Sequence, residues 1–518
     1  MAFVLIGFMG AGKSTVAGEL AAALGAGALD SDALVQERLG HSIAREFELH
    51  GEQSFRAQEE ELVCGLLSDA GPESVIALGG GSVLSERVRR ALDGHVTILL
   101  DIDAASAWER LSAQDGARER PLASDPDSFA ELHASRREIY ERLADAILPQ
   151  LALGEGARAL GALRSLIGAP AGTRMLWASS ASGEYPVLVG RGLLDAELLT
   201  APAGLWPLDR RSSRPFAVSD ETVIELYGGR LGETAGAYAI GAGESHKTLA
   251  SAERVWQAML AGAITRADHV AALGGGVVGD LAGFCAAAYQ RGVPVVQLPT
   301  TLLAQVDSAF GGKTGVDLPD AKNYIGLYHQ PAGVIVDPDV LQTLPRGELA
   351  SGWVEVLKTA LIAGGSLWDS VAAGGEVQDS TILACIRTKL AVVAADERDG
   401  SRRQVLNLGH TVGHAIETVT GYARFRHGEA VGLGLLAALR LSGRDDLRAQ
   451  VQQLLGDRGL PVSVSGVTPE AILEAIARDK KRLAGEVPFV LVQQPGVVTH
   501  GHQVAREDLR AAVSELVQ

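Results

Sequence analysis

Apolar residues are arranged in two ways along this chain. In the first part, short apolar runs such as Ala2–Ile6, SVIAL (74–78), PFAVS (215–219) and HVAAL (269–273) suit buried strands. Turns follow them, glycine-bearing after Ile6, SVIAL and HVAAL, and stretches such as VAGELAAALG and LAGFCAAAYQRG carry apolar residues at helical spacing. Strand, turn and helix in alternation predict open α/β sheets with helices on their faces. The pattern breaks once, at APAGT (169–173), and restarts with RMLWASS and YPVLVG, which reads as a linker and a second beginning. Beyond Leu344-Pro345 the strand signals fade, and residues 346 to about 480 read as helices. The expected organisation is an α/β domain over 1–168, a linker at 169–173, a Rossmann-like α/β subdomain over 174–345 and an all-helical subdomain over 346–518.

Composition fits that layout. A chain of 518 residues exceeds one ordinary core and suggests about three domains. With 47% hydrophobic and 21% charged residues and no long apolar run, the expectation is a soluble protein with no membrane partner. The opening MAFVLIGFMGAGKST lacks a basic leader and runs straight into a glycine loop, as a buried first strand would. Three scattered cysteines, Cys64, Cys285 and Cys385, build neither a disulfide frame nor a thiolate metal site, which fits a reducing cytoplasm. The net charge of −17 argues against nucleic acid as a partner, so any anionic ligand must be held by local cations.

The first such cation lies in the opening loop. Gly7 to Thr15 is a complete GxxxxGKS sequence between strand and helix, whose residues Gly10, Ala11, Gly12, Lys13, Ser14 and Thr15 close backbone N–H groups around phosphates. Lys13 reaches the β- and γ-phosphates and Ser14 binds Mg²⁺, so a nucleoside triphosphate is expected. Asp30 and Asp32 follow the next strand; one can hold the metal's water shell while the other takes a proton from an acceptor hydroxyl, and as an isolated pair they could equally cap a helix. Arg56, the Gly79-Gly80-Gly81 turn and Arg136 add donors suited to a small polyhydroxy carboxylate.

The second part carries other chemistry. Gly274, Gly276 and Gly279 satisfy GxGxxG between a strand and a helix, a setting for a dinucleotide pyrophosphate. The acidic residue expected about twenty positions on is missing, and Asp220, after an earlier strand, offers a carboxylate instead. Asp307, Lys313, Lys322 and Asn323 crowd a glycine-interrupted stretch suited to a phosphorylated or carboxylated molecule. The helical part holds Glu355, Lys358, Lys389, Arg403 and the run Asn407 to Glu417, NLGHTVGHAIE. In that run His410 and His414 leave one helix face, where they can grip a metal ion or simply hydrogen-bond; His427 and Glu355, a carboxylate in an apolar segment, favour the metal.

Two resemblances sharpen these readings. Residues 1–168 resemble shikimate kinase, with the phosphate loop, DSD, FRxxE, GGG, RPL and RxxxY in order. This implies that Asp32, Arg56, Gly80 and Arg136 bind shikimate, Asp32 against the 3-hydroxyl, with ATP and Mg²⁺ held through Ser14 and, by way of water, Asp30. It also implies that Arg120 lies on a lid over the phosphates and that Arg110 stacks on adenine. Residues from about 180 to 495 resemble 3-dehydroquinate synthase, through GExxKT, GGGVVGD, PTTLLAQVDS, GGKTGVD, KNxIG, ExxK, NLGHTVGHAIE, HGEAV and DKK. This implies conversion of 3-deoxy-D-arabino-heptulosonate 7-phosphate to 3-dehydroquinate and phosphate, with catalytic NAD⁺ and with zinc, or cobalt in its place. Zinc falls to Glu355, His410 and His427. Asp307, Lys313, Asn323, Lys358, Lys389, Arg403, Asn407 and His414 surround the substrate, with Lys480 or Lys481 on its phosphate. The NAD site falls to Asp220, Glu244, Lys247, Gly275, Gly276, Val277, Asp280, Thr300, Thr301, Lys322 and Thr343. Arg291 is expected to reach a neighbouring subunit's phosphate, which implies a homodimer through this half. Two departures from the family pattern stand out: Trp353-Val354 before Glu355, and Asp399 where glutamate is usual.

Overall fold

A computed structural model describes residues 1–113, 125–149, 156–201, 204–319, 321–482 and 488–518, the side chains of 479–482 excepted. The chain divides into two compact units: Met1–Ala178 with Pro186–Leu193 and Glu197–Pro207, and Ser179–Tyr185 with Leu194–Ala196 and Leu208–Gln518.

The first unit contains β1 (Phe3–Ile6), α1 (Lys13–Leu24), β2 (Ala28–Asp30), α2 (Ser31–Leu39), α3 (Ile43–Asp69), β3 (Val75–Ala77), α4 (Glu86–Leu92), β4 (Val96–Leu100), α5 (Ala104–Ser112), α6 (Pro126–Leu143), β5 (Ala146–Leu148) and α7 (Leu160–Ser165). The strands run parallel in the order β2-β3-β1-β4-β5. β1 and β4 are buried throughout, as expected of parallel strands covered on both faces. Next come β6 (Arg174–Ser180), β7 (Gly183–Val189) and α8 (Ala196–Thr200). The first unit extends past the stretch read as a linker, because β6 pairs parallel with β5, Ala146 opposite Met175 and Ile147 opposite Leu176. APAGT supplies a turn, closed by Thr173 N–H on Pro170 O, before an apolar strand that finds a sheet edge.

The second unit begins with β8 (Pro215–Asp220), α9 (Glu221–Tyr227), β9 (Gly236–Ile240), α10 (Leu249–Ala261), β10 (His269–Gly274), α11 (Gly276–Ala288), β11 (Val295–Pro299), an antiparallel ribbon of β12 (Lys313–Leu318) and β13 (Ala321–Tyr328), and β14 (Gly333–Val336). Its parallel sheet has the order β9-β8-β10-β11-β14, so the chain reverses direction across the sheet between β8 and β10. Ligands of such sheets bind outside the carboxyl ends of the strands at that reversal. Phe216, Val218, Val255, Met259, Val270, Leu281, Phe284 and Val295 form the core.

The helical region follows as α12 (Arg346–Ala363), α13 (Gly365–Ala372), α14 (Asp379–Ala395), α15 (His410–Val419), α16 (His427–Leu441), α17 (Asp445–Asp457) and α18 (Pro469–Arg482). It is not purely helical. β15 (Phe489–Gln494) and β16 (Val497–His502) form a hairpin before α19 (Arg506–Ser514), which corrects the all-helical expectation for 346–518. FVLVQQ and VVTH, separated by Pro495-Gly496, carry a hairpin signal too short to stand out after the helical run of 346–482. Trp353 is buried with the Arg458 guanidinium 3.8 Å above its ring, and Arg458 donates to the carbonyls of Gly374 and Gly375. The bulky residue before Glu355 thus has a cationic cover of its own. α15 and α16 meet backbone to backbone: a side chain at Gly434 would lie 1.8 Å from Gly409 O.

Candidate functional site

In the first unit the carboxyl ends of β1, β2 and β3 converge. Gly12, at a φ of 88°, caps α1 without a side-chain hydrogen bond, so the N–H groups of the first turn face the loop. Lys13 Nζ reaches back to the carbonyls of Gly7 and Phe8, at 3.0 and 3.1 Å. Asp30 takes the capping part: Oδ1 caps α2 through the N–H groups of Asp32 and Ala33, while Oδ2 accepts from Ser14 Oγ at 2.5 Å. Arg110, on α5, places Nη1 3.7 Å from where a side chain on Gly12 would begin.

The GGG turn is shaped by what packs on it. A side chain on Gly79 would strike the Asp32 carboxylate, and one on Gly81 would strike the Arg56 guanidinium. Arg56 is held by Glu59 at 2.6 Å and Glu52 at 3.2 Å, which raise its pKa against the lowering effect of burial. Arg136 is buried and donates to Gly80 O at 3.4 Å. Tyr140 also donates to Gly80 O, and burial pushes its hydroxyl up to about 12. Asp32, Arg56, Gly80 and Arg136 are therefore neighbours around one turn. Arg120 lies outside the described residues.

In the second unit a single cavity of about 1380 Å³ takes in nearly every other residue that the sequence singled out. Asp220, Glu244, Lys247, Gly275, Gly276, Val277, Asp280, Thr300, Thr301, Lys322 and Thr343 line it, as do Asp307, Lys313, Asn323, Glu355, Lys358, Lys389, Arg403, Asn407, His410, His414 and His427. Arg291 does not; it is exposed, at a φ of 71°, in the turn after α11. The side chains of Lys480 and Lys481 lie outside the described residues.

The sheet side of this cavity fits a dinucleotide phosphate. α11 starts at Gly276 with Gly275 as a cap that lends no side chain, leaving its first N–H groups open to the cavity. Thr300 Oγ1 and Ser308 Oγ are buried there without hydrogen-bond partners among the described residues, and a side chain on Gly276 would close to 2.9 Å from Ser308 Oγ. Asp220 caps α9 through Thr222 and Val223 N–H at the reversal point. Lys247 is buried, and although burial lowers its pKa, Asp280 at 2.8 Å and Glu244 at 3.6 Å raise it on balance.

The helical side holds a buried cluster of opposite charges. Asp307 lies in a π-helical turn, Ala304–Ser308, a form often found at functional sites. Lys358 Nζ stands 3.0 Å from Asp307 Oδ2 and 2.5 Å from Glu355 Oε2, while Lys389 donates to the Asp307 carboxylate and carbonyl. Burial would raise Asp307, but the two lysines hold it well below the usual carboxylate range. Lys389 is lowered by burial. Arg403 is buried with Nη1 on Glu397 O and Nη2 on Gly311 O, leaving Nε without a partner among the described residues. Asp399 accepts from Lys313 at 2.5 Å.

Beside this cluster stand three histidines, and one ligand atom from each of His410, His414 and His427 lies within 4.8 Å of the others. His410 is the first residue of α15 and His427 the first of α16. Glu355 Oε1 is 3.7 Å from His410 Nε2 and 3.5 Å from His427 Nε2. Oε2 of this fully buried carboxylate is paired with Lys358, while Oε1 has no hydrogen-bond partner among the described residues, as fits an oxygen that shares a cation with the imidazoles. Burial lowers His410 to about 3 and His414 to about 4. His427 rises to about 9, since Glu355 and Glu417 outweigh its burial. His410 and His414 are thus neutral, and with His427, whose ring proton a bound cation would displace, they stand over a carboxylate as a donor set for zinc or a similar divalent ion.

Sequence reasoning passed over Glu417, although NLGHTVGHAIE contains it: it is buried, lines the cavity and faces both His427 and Lys322. Its place three residues after His414, on one helix face, was the available signal.

A phosphate-loop unit joined to a unit with a dinucleotide cleft and a histidine–carboxylate centre defines the class as a kinase coupled to a metal- and dinucleotide-dependent enzyme. Family models match residues 9–154 as shikimate kinase, 237–351 as the N-terminal and 352–482 as the C-terminal part of 3-dehydroquinate synthase. The 3-dehydroquinate synthase of Halorhodospira halophila is 41% identical over 361 residues, 66% of this chain and 100% of that protein. That of Pseudomonas putida is 42% identical over 350 residues, 64% of this chain and 94% of the relative. Among solved structures, 2-epi-5-epi-valiolone synthase from Streptomyces hygroscopicus subsp. jinggangensis, with NAD⁺ and Zn²⁺ bound, is 28% identical with a TM-score of 0.58, over 66% of this chain and 99% of the other. The chain belongs to the 3-dehydroquinate synthase family and carries a shikimate kinase domain ahead of it.

Proposed function

We infer that the chain catalyses two reactions of one pathway: ATP-dependent 3-phosphorylation of shikimate, assigned to 1–168, and conversion of 3-deoxy-D-arabino-heptulosonate 7-phosphate to 3-dehydroquinate and phosphate, assigned to 174–518. The observation that carries the second reading is the meeting, in one cavity, of an uncapped helix N-terminus, a buried pair of lysines and a histidine–carboxylate centre. In the first unit, the backbone N–H groups after Gly12 and Lys13 bind the ATP phosphates, Ser14 and Asp30 hold Mg²⁺ and its water, and Arg110 lies against the nucleotide. Arg56, Arg136 and Gly80 orient shikimate so that its hydroxyl meets Asp32.

In the second unit Glu355, His410 and His427 hold zinc, or cobalt, and Gly275, Gly276, Val277, Thr300, Thr301 and their neighbours hold NAD⁺. When bound, these groups supply alcohol polarisation and reversible hydride transfer. The residues around them bind and orient the substrate. Lys313, Asn323, Arg403 and Asn407 supply donors to its anionic and hydroxyl groups, Lys358 and Lys389 fix Asp307, and His414, a neutral imidazole one turn from His410, accepts or returns a proton. Lys480 or Lys481 adds charge for the phosphate. We further propose a homodimer through this half, with Arg291 completing the neighbour's phosphate site; its exposure and its position outside the cavity support this. No helix among the described residues is long and apolar enough to cross a membrane. The three cysteines stand as thiols, which supports a cytoplasmic location.

The test offers each substrate in turn, with catalytic NAD⁺ and zinc, while ADP and inorganic phosphate are followed separately. Shikimate should yield ADP and the heptulosonate should yield phosphate without net NADH. Accumulating NADH would instead indicate a metal-dependent polyol dehydrogenase and defeat the synthase reading.

A further inference from the structure

Glu417 is 3% exposed and stands on α15 seven residues after His410 and three after His414, so the three side chains share one helix face. Its Oε1 lies 3.4 Å from His427 Nδ1 and 3.3 Å from Lys322 Nζ, and Oε2 is buried without a hydrogen-bond partner among the described residues. A neutral imidazole offers a cation one nitrogen, and the proton on the other needs an acceptor. The two histidines beside Glu355 meet this need differently. His410 Nδ1 faces the Leu408 carbonyl at 3.1 Å, whereas His427, at the start of its helix, has Glu417.

We propose that Glu417 is a positioning residue: by accepting from His427 Nδ1 it fixes the ring with Nε2 toward Glu355 and thereby sets the affinity of the centre for its metal. This rests on the reading that Glu355, His410 and His427 hold zinc. The charge on Glu417 also strengthens the imidazole as a ligand, as carboxylates hydrogen-bonded to metal-bound histidines do. Lys322 competes for the same oxygen but has Glu244 as a second partner at 3.2 Å, so the lysine does not depend on Glu417.

The test is zinc titration of the metal-free full-length protein against a chromophoric chelator. Glu417→Ala should raise the zinc Kd roughly 10- to 100-fold. Glu417→Gln, whose amide oxygen still accepts from Nδ1, should raise it by a smaller factor, with a metal-free Tm within about 2 °C of the parent. Lys322→Met should leave zinc affinity within about twofold of the parent, the range expected when no ligand-orienting bond is touched. Failure of the parent protein to bind zinc would defeat the metal reading itself. Parent-like zinc affinity in both Glu417 variants would overturn the positioning role alone. Equal weakening by Lys322→Met and Glu417→Ala would overturn it as well, assigning Glu417 to the ion pair. Should the Ala variant fail to fold, the Gln variant loaded with Co²⁺ decides: altered visible bands support the role, and parent-like bands with parent-like affinity overturn it.

Discussion

Lys358 and Asp307 form a buried ion pair, Nζ to Oδ2 at 3.0 Å, in which the lysine is 1% exposed and also touches Glu355. Removing one partner of such a pair leaves the other charge desolvated and uncompensated. Lys358→Met should therefore destabilise the second unit by about 3–5 kcal/mol and abolish phosphate release from the heptulosonate. Urea unfolding followed by tryptophan fluorescence would measure the first effect. A loss below about 1 kcal/mol, the scale of an exposed pair, would show that water reaches this cluster.

The two activities should separate by mutation. Lys13→Ala removes the cation proposed to meet the β- and γ-phosphates and should reduce shikimate phosphorylation at least ~100-fold, a few kcal/mol of transition-state stabilisation. Phosphate release by the other unit should remain at the parent rate. Loss of both would contradict independent units.

His410 and His414 share a helix face, their ring centres 5.2 Å apart, yet they are expected to differ in role. His410→Ala should lose bound zinc in elemental analysis. His414→Ala should retain it and lose turnover by roughly 10²–10⁴-fold, the scale of a proton-transfer group. Equal loss of zinc in both variants would make His414 a ligand.

A pH effect should come from far outside the site. His269 is fully buried, its Nδ1 2.7 Å from Ser213 Oγ, and burial followed by the nearby Arg210 lowers its pKa from 6.5 to about 4. The unfolded chain therefore takes up a proton near pH 6.5 that the folded chain refuses until about pH 4. Its contribution is fully present above pH 6.5 and is lost as pH falls toward 4, on the order of 3 kcal/mol in all. His269→Gln should flatten this part of the stability profile of the second unit. An unchanged slope between pH 6.5 and 4 would place the transition in other groups.

Much of this was legible in the residues because local rules and chemistry agree. A glycine loop between strand and helix at 7–15 could hardly form anything but the phosphate loop observed, and Gly274–Gly279 likewise opens α11. Spacing could place His410 and His414 on one face, but not His427 and Glu355 beside them, since those arrive from other helices. The reach of β6 onto β5 was hidden for the same reason: an apolar strand after a small-residue turn does not state which sheet edge it will join. The hairpin at 489–502 was masked by the long helical run before it. Glu417 was overlooked because a carboxylate that ends a histidine motif looks like an ordinary polar helix residue until its burial is known.

The glycines between α15 and α16 carry a consequence for tolerance to change. Gly409 carbonyl and Gly434 Cα meet where larger residues would hold the helices apart, and His410 and His427 begin these helices. The gap between the two imidazoles is thus gauged by main chain against main chain, and substitutions among the surrounding apolar side chains can be absorbed without retuning it. A single methyl group at residue 434 cannot, and would act as a shim that opens the histidine–carboxylate centre from outside it.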